Sequence, residues 1–294
     1  MSDYDVVILT DMRYEAPDEG QWYNAQLLHE EQLLRDGLEA RGLRTARVAW
    51  SNPNFEWSCT RAAVFRSTWD YFEKFAEFCR WMQQIEGGTH LFNAASLVRW
   101  NIDKHYLRDL AERGVNVPKT HFIERGETST LRELVTANRW SEVILKPAVS
   151  GAARHTYRIN NANIEAHQAV LRELLREEAM MLQPFLSSVL TQGEVSLVVI
   201  GGRCTHAVRK VAKAGDFSAP RDDTARASCG NGAKRKILSL LRPSLAAFSQ
   251  PTRMAFAAAL SEVPVERRMR RPSAPVKLPH QSSESGRLMR CATP

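Results

Sequence analysis

The chain has 294 residues, 44% of them apolar and 25% charged, with a formal net charge of +7. That balance suits a globular protein of one large domain or two to three small ones, and no apolar run approaches the roughly 18 residues needed to span a bilayer. Five cysteines (Cys59, Cys79, Cys204, Cys229 and Cys291) are scattered without metal-ligand spacing, which argues for buried free thiols in a reducing cytoplasm and against a zinc site.

The charge is unevenly placed. Residues 218–294 hold 14 Lys/Arg, 5 Asp/Glu and 8 of the 13 prolines, while residues 1–217 hold 26 basic and 28 acidic residues. The basic character belongs to the C-terminal quarter, and the composition breaks just after Gly215-Asp216-Phe217. At the other end, Met1-Ser2-Asp3-Tyr4-Asp5 is acidic and lacks the basic n-region of a secretory signal.

In chain order, Val6-Val7-Ile8-Leu9 predicts a first strand, apolar on both faces and therefore central in a covered sheet. Leu27, Leu28, Leu34 and Leu38 recur at helical spacing, and Gly42 is a credible C-cap. Thr45–Trp50 and Ala62–Phe65 predict two more strands. Strand, helix, strand, strand is the order of an α/β unit with a mostly parallel sheet. The third strand runs into Arg66-Ser67-Thr68-Trp69-Asp70-Tyr71. Open α/β sheets bind ligands beyond the carboxyl ends of their strands. Arg66 and Asp70 therefore stand where a charged substrate can be gripped, and the planar fork of arginine matches a carboxylate. A surface Arg–Asp pair with Trp69 in the core accounts for the same residues equally well.

Phe72–Ile85 predicts an amphipathic helix whose stripe of Phe75, Phe78, Trp81, Met82 and Ile85 is packing. Leu91-Phe92-Asn93 is a short strand. Trp100–Lys104 opens a helix running to Gly114, with Lys104 in its first turn. A cation there opposes the helix dipole unless an anion sits nearby, which favours a phosphate-binding role.

Val115–Thr120 reads as an extended link into a second domain, and Leu131–Asn138 as a short helix. Then comes the stretch Val143–Ala153. Three apolar residues deliver Lys146, Pro147 stops the strand, and Ser150-Gly151-Ala152-Ala153 follows. So little side chain lets phosphate oxygens approach the backbone N–H groups closely, although an ordinary strand end fits the same letters. Ile164–Glu178 is a helix, Met180–Phe185 a strand, and Gly193–Ile200 a strand joined by Gly201-Gly202 to a hairpin partner, Cys204–Val208. Arg209, Lys210 and Lys213 follow.

Taken together, these pieces resemble the ATP-grasp ligases, in the branch related to glutathione synthetase and the cyclo-ligase of cycloserine biosynthesis. The likeness is carried by Arg66–Tyr71, Arg99–Lys104, Gly114–Thr120, Leu145-Lys146-Pro147, Gln183-Pro184-Phe185, Gly193–Ser196 and His206-Ala207-Val208, in that order. The resemblance implies a fold that is α/β and α+β. A pre-ATP-grasp α/β domain over 1–117 would face the substrate, and a nucleotide-binding region would occupy 118–217. Lys104 and Lys146 match the two lysines that hold ATP phosphates, and Ser150 and Gly151 lie in the loop that covers them. Gln183 and Phe185 would line the adenine slot, Glu194 would take the ribose hydroxyls, and Lys210 or Lys213 would reach the phosphates. Arg66 and Asp70 would face a small carboxylic or amino acid. The implied activity is ATP- and Mg²⁺-dependent ligation of a carboxylate to an amine through an acylphosphate; the alternative is a nucleotide-binding remnant without activity.

The likeness stops near Ser218. The family continues with acidic residues and a Glu-x-Asn pair that hold Mg²⁺, whereas the only asparagine beyond Phe217 here is Asn231. Asp222-Asp223 has no flanking strand, so the metal ligands are unknown. Glu266–Pro294 has the composition of a disordered segment. A shift of reading frame near Ser218 would explain the break. Arg267-Arg268-Met269-Arg270-Arg271 offers clustered charge for nucleic acid, but Phe248 and Phe256 are the tail's only aromatics, which argues against that partner.

Overall fold

The computed structural model describes residues 3–200 and 203–210. These form two compact units that divide between Trp100 and Asn101, ahead of the boundary expected at residue 117.

The first unit contains β1 (Tyr4–Thr10), α1 (Trp22–Glu39), β2 (Thr45–Ala49), β3 (Thr60–Ser67), α2 (Phe75–Ile85) and β4 (His90–Phe92). Its strands lie in the order β2-β1-β3-β4, all parallel. Val7, Ile8 and Leu9 in β1 are at most 1% exposed, as a run apolar on both faces requires of a central strand. Helix α1 ends where Gly42 takes φ +76°, and the turn is closed by Leu43 N–H donating to Leu38 C=O. That left-handed conformation suits glycine, which has no Cβ to clash. The expected aromatic stripe is on α2. Phe78, Trp81, Met82 and Ile85 are buried, and Trp50 packs edge-on against Phe78 with ring centroids 5.1 Å apart. From β1 the chain steps to β2 on one side and then to β3 on the other. The β1 and β3 ends therefore flank a switch point of the kind where open sheets bind ligands.

Helix α3 (Ala95–Ile102) spans the division between the units. It corrects one expectation. Trp100-Asn101-Ile102 closes this helix rather than opening the next one, and Lys104 sits in the turn before α4 (Tyr106–Glu112).

The second unit continues with β5 (His121–Ile123), α5 (Leu131–Ala137), β6 (Glu142–Pro147), β7 (Tyr157–Asn160), α6 (Ile164–Glu177), β8 (Met180–Pro184), α7 (Ser188–Gln192), β9 (Glu194–Ile200) and β10 (Arg203–Lys210). Strands β5-β8-β6-β7 make an antiparallel sheet, and β9 with β10 a separate antiparallel pair. Thr130 starts α5 with a capping box, its hydroxyl accepting from the Glu133 N–H while the Glu133 carboxylate accepts from the Thr130 N–H. Helices α5 and α6 cover one face of the four-stranded sheet, where Leu131, Leu134, Leu171 and Leu175 pack against Val143, Leu145 and Leu182. Side chains alternate along a strand. The same register therefore sends Ile144, Lys146, Met181, Gln183 and Phe122 to the other face. Pro147 does not end the pairing, because it lies opposite Met180 and the next N–H, of Ala148, donates to Ala179 C=O at 2.9 Å. The turn at Gly201-Gly202 and the whole of 211–294, including Lys213 and Asp222-Asp223, lie outside the described residues.

Candidate functional site

The second unit brings Lys104, Lys146 and the small-residue loop together. Lys146 leaves β6 on the face turned away from α5 and α6, in register with Met181. Burial pushes its ammonium below the ordinary lysine pKa, and the carboxylate of Glu194 works in the other direction. Lys104 approaches from the turn before α4. Its N–H donates to Ala148 C=O at 3.0 Å, and its ammonium donates to Ala148 C=O at 3.2 Å and Ser150 C=O at 2.9 Å. Burial pushes Lys104 down to about 8, and the positive charge of Lys146 adds to the shift. Two cations in each other's field, both partly stripped of water, would gain from an anion placed between them.

The turn that presents Lys104 is braced on both sides. Asp103 Oδ1 accepts from the His105 backbone N–H at 3.0 Å and lies 2.5 Å from His105 Nδ1. Burial works against the Asp103 carboxylate, but its contacts with His105 hold its pKa below the usual value. The same side-chain bond raises the pKa of His105. The His105 ring stacks on Phe122 at 4.2 Å, with the Arg108 guanidinium 4.5 Å from the Phe122 ring centre.

The loop after Lys146 is held in an unusual form. Ala152, Ala153 and His155 have φ of 52°, 57° and 51°. Non-glycine residues in this left-handed region each cost about 1–2 kcal/mol. The loop's root is tied down by Arg154, whose guanidinium pairs with the Glu178 carboxylate (Nη1 to Oε1, 2.9 Å) and donates to Val149 C=O at 3.3 Å. Ser150 Oγ donates to Arg154 C=O at 3.1 Å.

Further along the same sheet face, Gln183 is buried and its amide donates to Thr120 Oγ1 at 2.8 Å. Phe185 follows β8, with the Arg158 guanidinium 3.9 Å from its ring centre. Arg158 is itself held by Glu142 at 2.8 Å. Glu194 opens β9, in backbone register with Lys210 of β10.

In the first unit, Arg66 and Asp70 are placed differently from each other. Arg66 is exposed at the end of β3 and its guanidinium pairs with Glu30. Asp70 is 3% exposed; its carboxylate accepts from the Trp50 indole N–H at 2.6 Å and lies 3.3 Å from the Lys74 ammonium. Trp69 is not core. It is 40% exposed, edge-on to Tyr14 at 5.4 Å and beside Tyr23 at 6.1 Å.

Several participants carried no signal in the chain's patterning. Arg154 with Glu178, Thr120 with Gln183 and Arg158 with Glu142 act across 24, 63 and 16 positions, and the His105 ring stacks on Phe122 17 positions away. Only the position of Arg154 directly after Ser150–Ala153 could have drawn attention to it. Among the described residues no group of three or more His, Cys, Asp or Glu is placed to hold a metal ion, and no helix is long and apolar enough to cross a membrane.

An α/β unit followed by a sheet of four antiparallel strands and a separate hairpin, with paired lysines at a small-residue loop, is the arrangement of an ATP-grasp protein. The comparisons agree. Over 82% of its length the chain superposes on 80% of the crystal structure of D-cycloserine synthetase DcsG, with a TM-score of 0.66 and 25% identity. It also superposes on a RimK-domain ATP-grasp protein from Sphaerobacter thermophilus, with a TM-score of 0.54, 20% identity and 82% of each chain covered. That second likeness speaks for the fold alone.

The chain has the ATP-grasp fold, and within it the likeness lies on the cycloserine-synthetase side. The family described as "D-cycloserine synthetase DcsG, N-terminal domain" matches residues 6–93. The cycloserine biosynthesis protein DcsG of Streptomyces lavendulae is 34% identical over 181 residues. That match spans 60% of this chain and about 60% of the length of the curated relative.

Proposed function

We propose that the protein is an ATP-dependent carboxylate–amine ligase working through an acylphosphate on a small carboxylic or amino acid. The observation that carries this reading is the convergence of two lysines on the loop 150–153: Lys104 bonded to the Ala148 and Ser150 carbonyls, and Lys146 on the strand that leads into the loop, with burial lowering the pKa of both. The relative named for cycloserine biosynthesis supports an amino-acid-like substrate. The free thiol of Cys59 fits a reducing cytoplasm.

ATP supplies a γ-phosphoryl group to the substrate carboxylate, and an amine then displaces phosphate at the activated carbonyl. The residues of the chain fit the triphosphate, because an anion relieves the mutual repulsion of Lys104 and Lys146. In this reading these two lysines hold phosphate oxygens, and Ser150 and Gly151 present backbone N–H groups to them. Gln183 and Phe185 line the adenine slot, and Glu194 accepts the ribose hydroxyls. Lys210 or Lys213 adds a further cation. On the substrate side Arg66 meets the carboxylate, while buried Asp70 holds the loop that carries Trp69. Positioning and charge stabilisation are the sources of rate in such a site. No metal set is assigned, because the described residues do not assemble one.

Calorimetry with ATP, with and without Mg²⁺, tests the nucleotide half of the proposal on the wild type and Lys146→Ala. Micromolar binding that the substitution abolishes is expected. Absence of binding in a folded wild type would refute it. Phosphate release dependent on an added amino acid, screened across a panel, separates a ligase from a nucleotide-binding remnant.

A further inference from the structure

Three consecutive carbonyls at the root of the small-residue loop are occupied by cations. Ala148 and Ser150 accept from the Lys104 ammonium, and Val149 between them accepts from Arg154. The loop tip beyond them is exposed at Ala152 and Ala153 and held in the left-handed region there and at His155. Such a backbone persists only where surrounding contacts over-determine it. Those contacts include the bond from Ser150 Oγ to the Arg154 carbonyl and the ion pair from the Arg154 side chain to Glu178, at the end of α6. Arg154 is thus bonded at both its main chain and its side chain, across the base of the loop.

We propose that Arg154, through its pair with Glu178, is a positioning residue that fixes the root of the loop 150–153 in the register where Lys104 and the loop receive a triphosphate. This inference rests on the ligase reading of the same site. The root of the loop shows carbonyl oxygens to the lysine. Two of the ammonium's three donors are committed to Ala148 and Ser150, which leaves the third for a phosphate oxygen and fixes where it points. Arg154 and Glu178 keep that root in register. In the ligase reading the outer phosphates meet this loop, so binding of a nucleoside monophosphate is expected to be insensitive to the state of the loop's root.

The test uses the full chain and four variants: Arg154→Glu, Glu178→Arg, the two combined, and Arg154→Lys. Affinities for ATP and for AMP are measured by calorimetry, with thermal unfolding alongside. Arg154→Glu is expected to weaken ATP at least tenfold and AMP less than twofold, and the charge swap to restore ATP to within about threefold of wild type. Arg154→Lys should fall between, because an ammonium cannot make the forked contact with Glu178 while also reaching Val149. Equal losses for ATP and AMP would reduce Arg154 to a structural residue and overturn the proposal. So would a swap that stays as weak as Arg154→Glu, or an Arg154→Glu variant that binds ATP normally. A folded wild type that binds no ATP would overturn the ligase reading itself, and this inference with it. Ordinary ATP binding by Arg154→Glu would overturn this inference alone.

Discussion

Lys104 reaches Ala148 twice, once through its backbone N–H at 3.0 Å and once through its ammonium at 3.2 Å. The double contact ties the turn before α4 to the end of β6. It also places a lysine pushed down to about 8, by burial first and then by the charge of Lys146, beside the loop proposed to cover phosphates. The consequence is a pH signature. Near pH 8 about half the Lys104 side chains are neutral, and an anion that binds the charged form must draw a proton from solvent. Binding of ATP should therefore take up a fraction of a proton at pH 8 and much less at pH 6.5, and affinity should fall as pH rises through about 8. Calorimetry in buffers of different ionisation enthalpy reads the uptake directly. The stability contribution runs the other way. The folded pKa is depressed, so the unfolded chain binds more protons between about 8 and the ordinary lysine value, and stability from this group rises with pH across that window.

Asp70 and Arg66, neighbours in one sequence motif, should part company when mutated. Asp70 is buried against the Trp50 indole N–H. Asp70→Ala leaves that donor unsatisfied and strips Lys74 of its partner, which should cost about 2–4 kcal/mol in denaturant unfolding. Asp70→Asn retains an acceptor and should cost about half as much. Arg66 pairs with exposed Glu30, so Arg66→Ala should shift stability by about 0.5 kcal/mol or less. A loss for Arg66→Ala as large as for Asp70→Ala would contradict this division.

The parallel sheet was legible because β1 is apolar on both faces, a pattern that only a central, covered strand satisfies. Lys146 was legible because a strand alternates, and Val143 and Leu145 in the core send the residue after them to the opposite face. Strand β7 and helix α3 were not predicted. Tyr157-Arg158-Ile159-Asn160 buries only Ile159 fully, and its partner β6 decides the pairing. Ala95–Ile102 merges into the next helix in the letters, and the break at Asp103 comes from a side chain that caps His105. The Arg154–Glu178 pair was beyond sequence reasoning, since nothing local links positions 24 apart. The role of Trp69 was likewise set by Tyr14 and Tyr23, which arrive from before and within α1.

The strained loop makes its own prediction. Ala152 and Ala153 are exposed alanines at φ 52° and 57°. Glycine removes the Cβ clash at such positions, though it also widens the unfolded ensemble. The net effect of Ala152→Gly with Ala153→Gly should be a gain of about 1 kcal/mol, read as a higher thermal midpoint. A lower midpoint would mean that the left-handed geometry is not the solution state of the loop.

Lys146 should trade stability against binding. Its ammonium loses water at the face of β6, and burial lowers its pKa more than the Glu194 charge restores it. An ion held this way is a liability to the free protein, because desolvation of a charge costs more than a partial partner returns. Methionine has nearly the same length and no charge, so Lys146→Met should leave the thermal midpoint unchanged or raise it. The same substitution removes one of the two cations available to a triphosphate, and ATP affinity should drop by at least tenfold. Equilibrium unfolding and calorimetry on one preparation measure both effects. The paired outcome, a chain as stable as wild type that no longer holds ATP, is what a residue retained for ligand binding predicts. A variant that unfolds more readily and binds ATP normally would instead make Lys146 part of the scaffold.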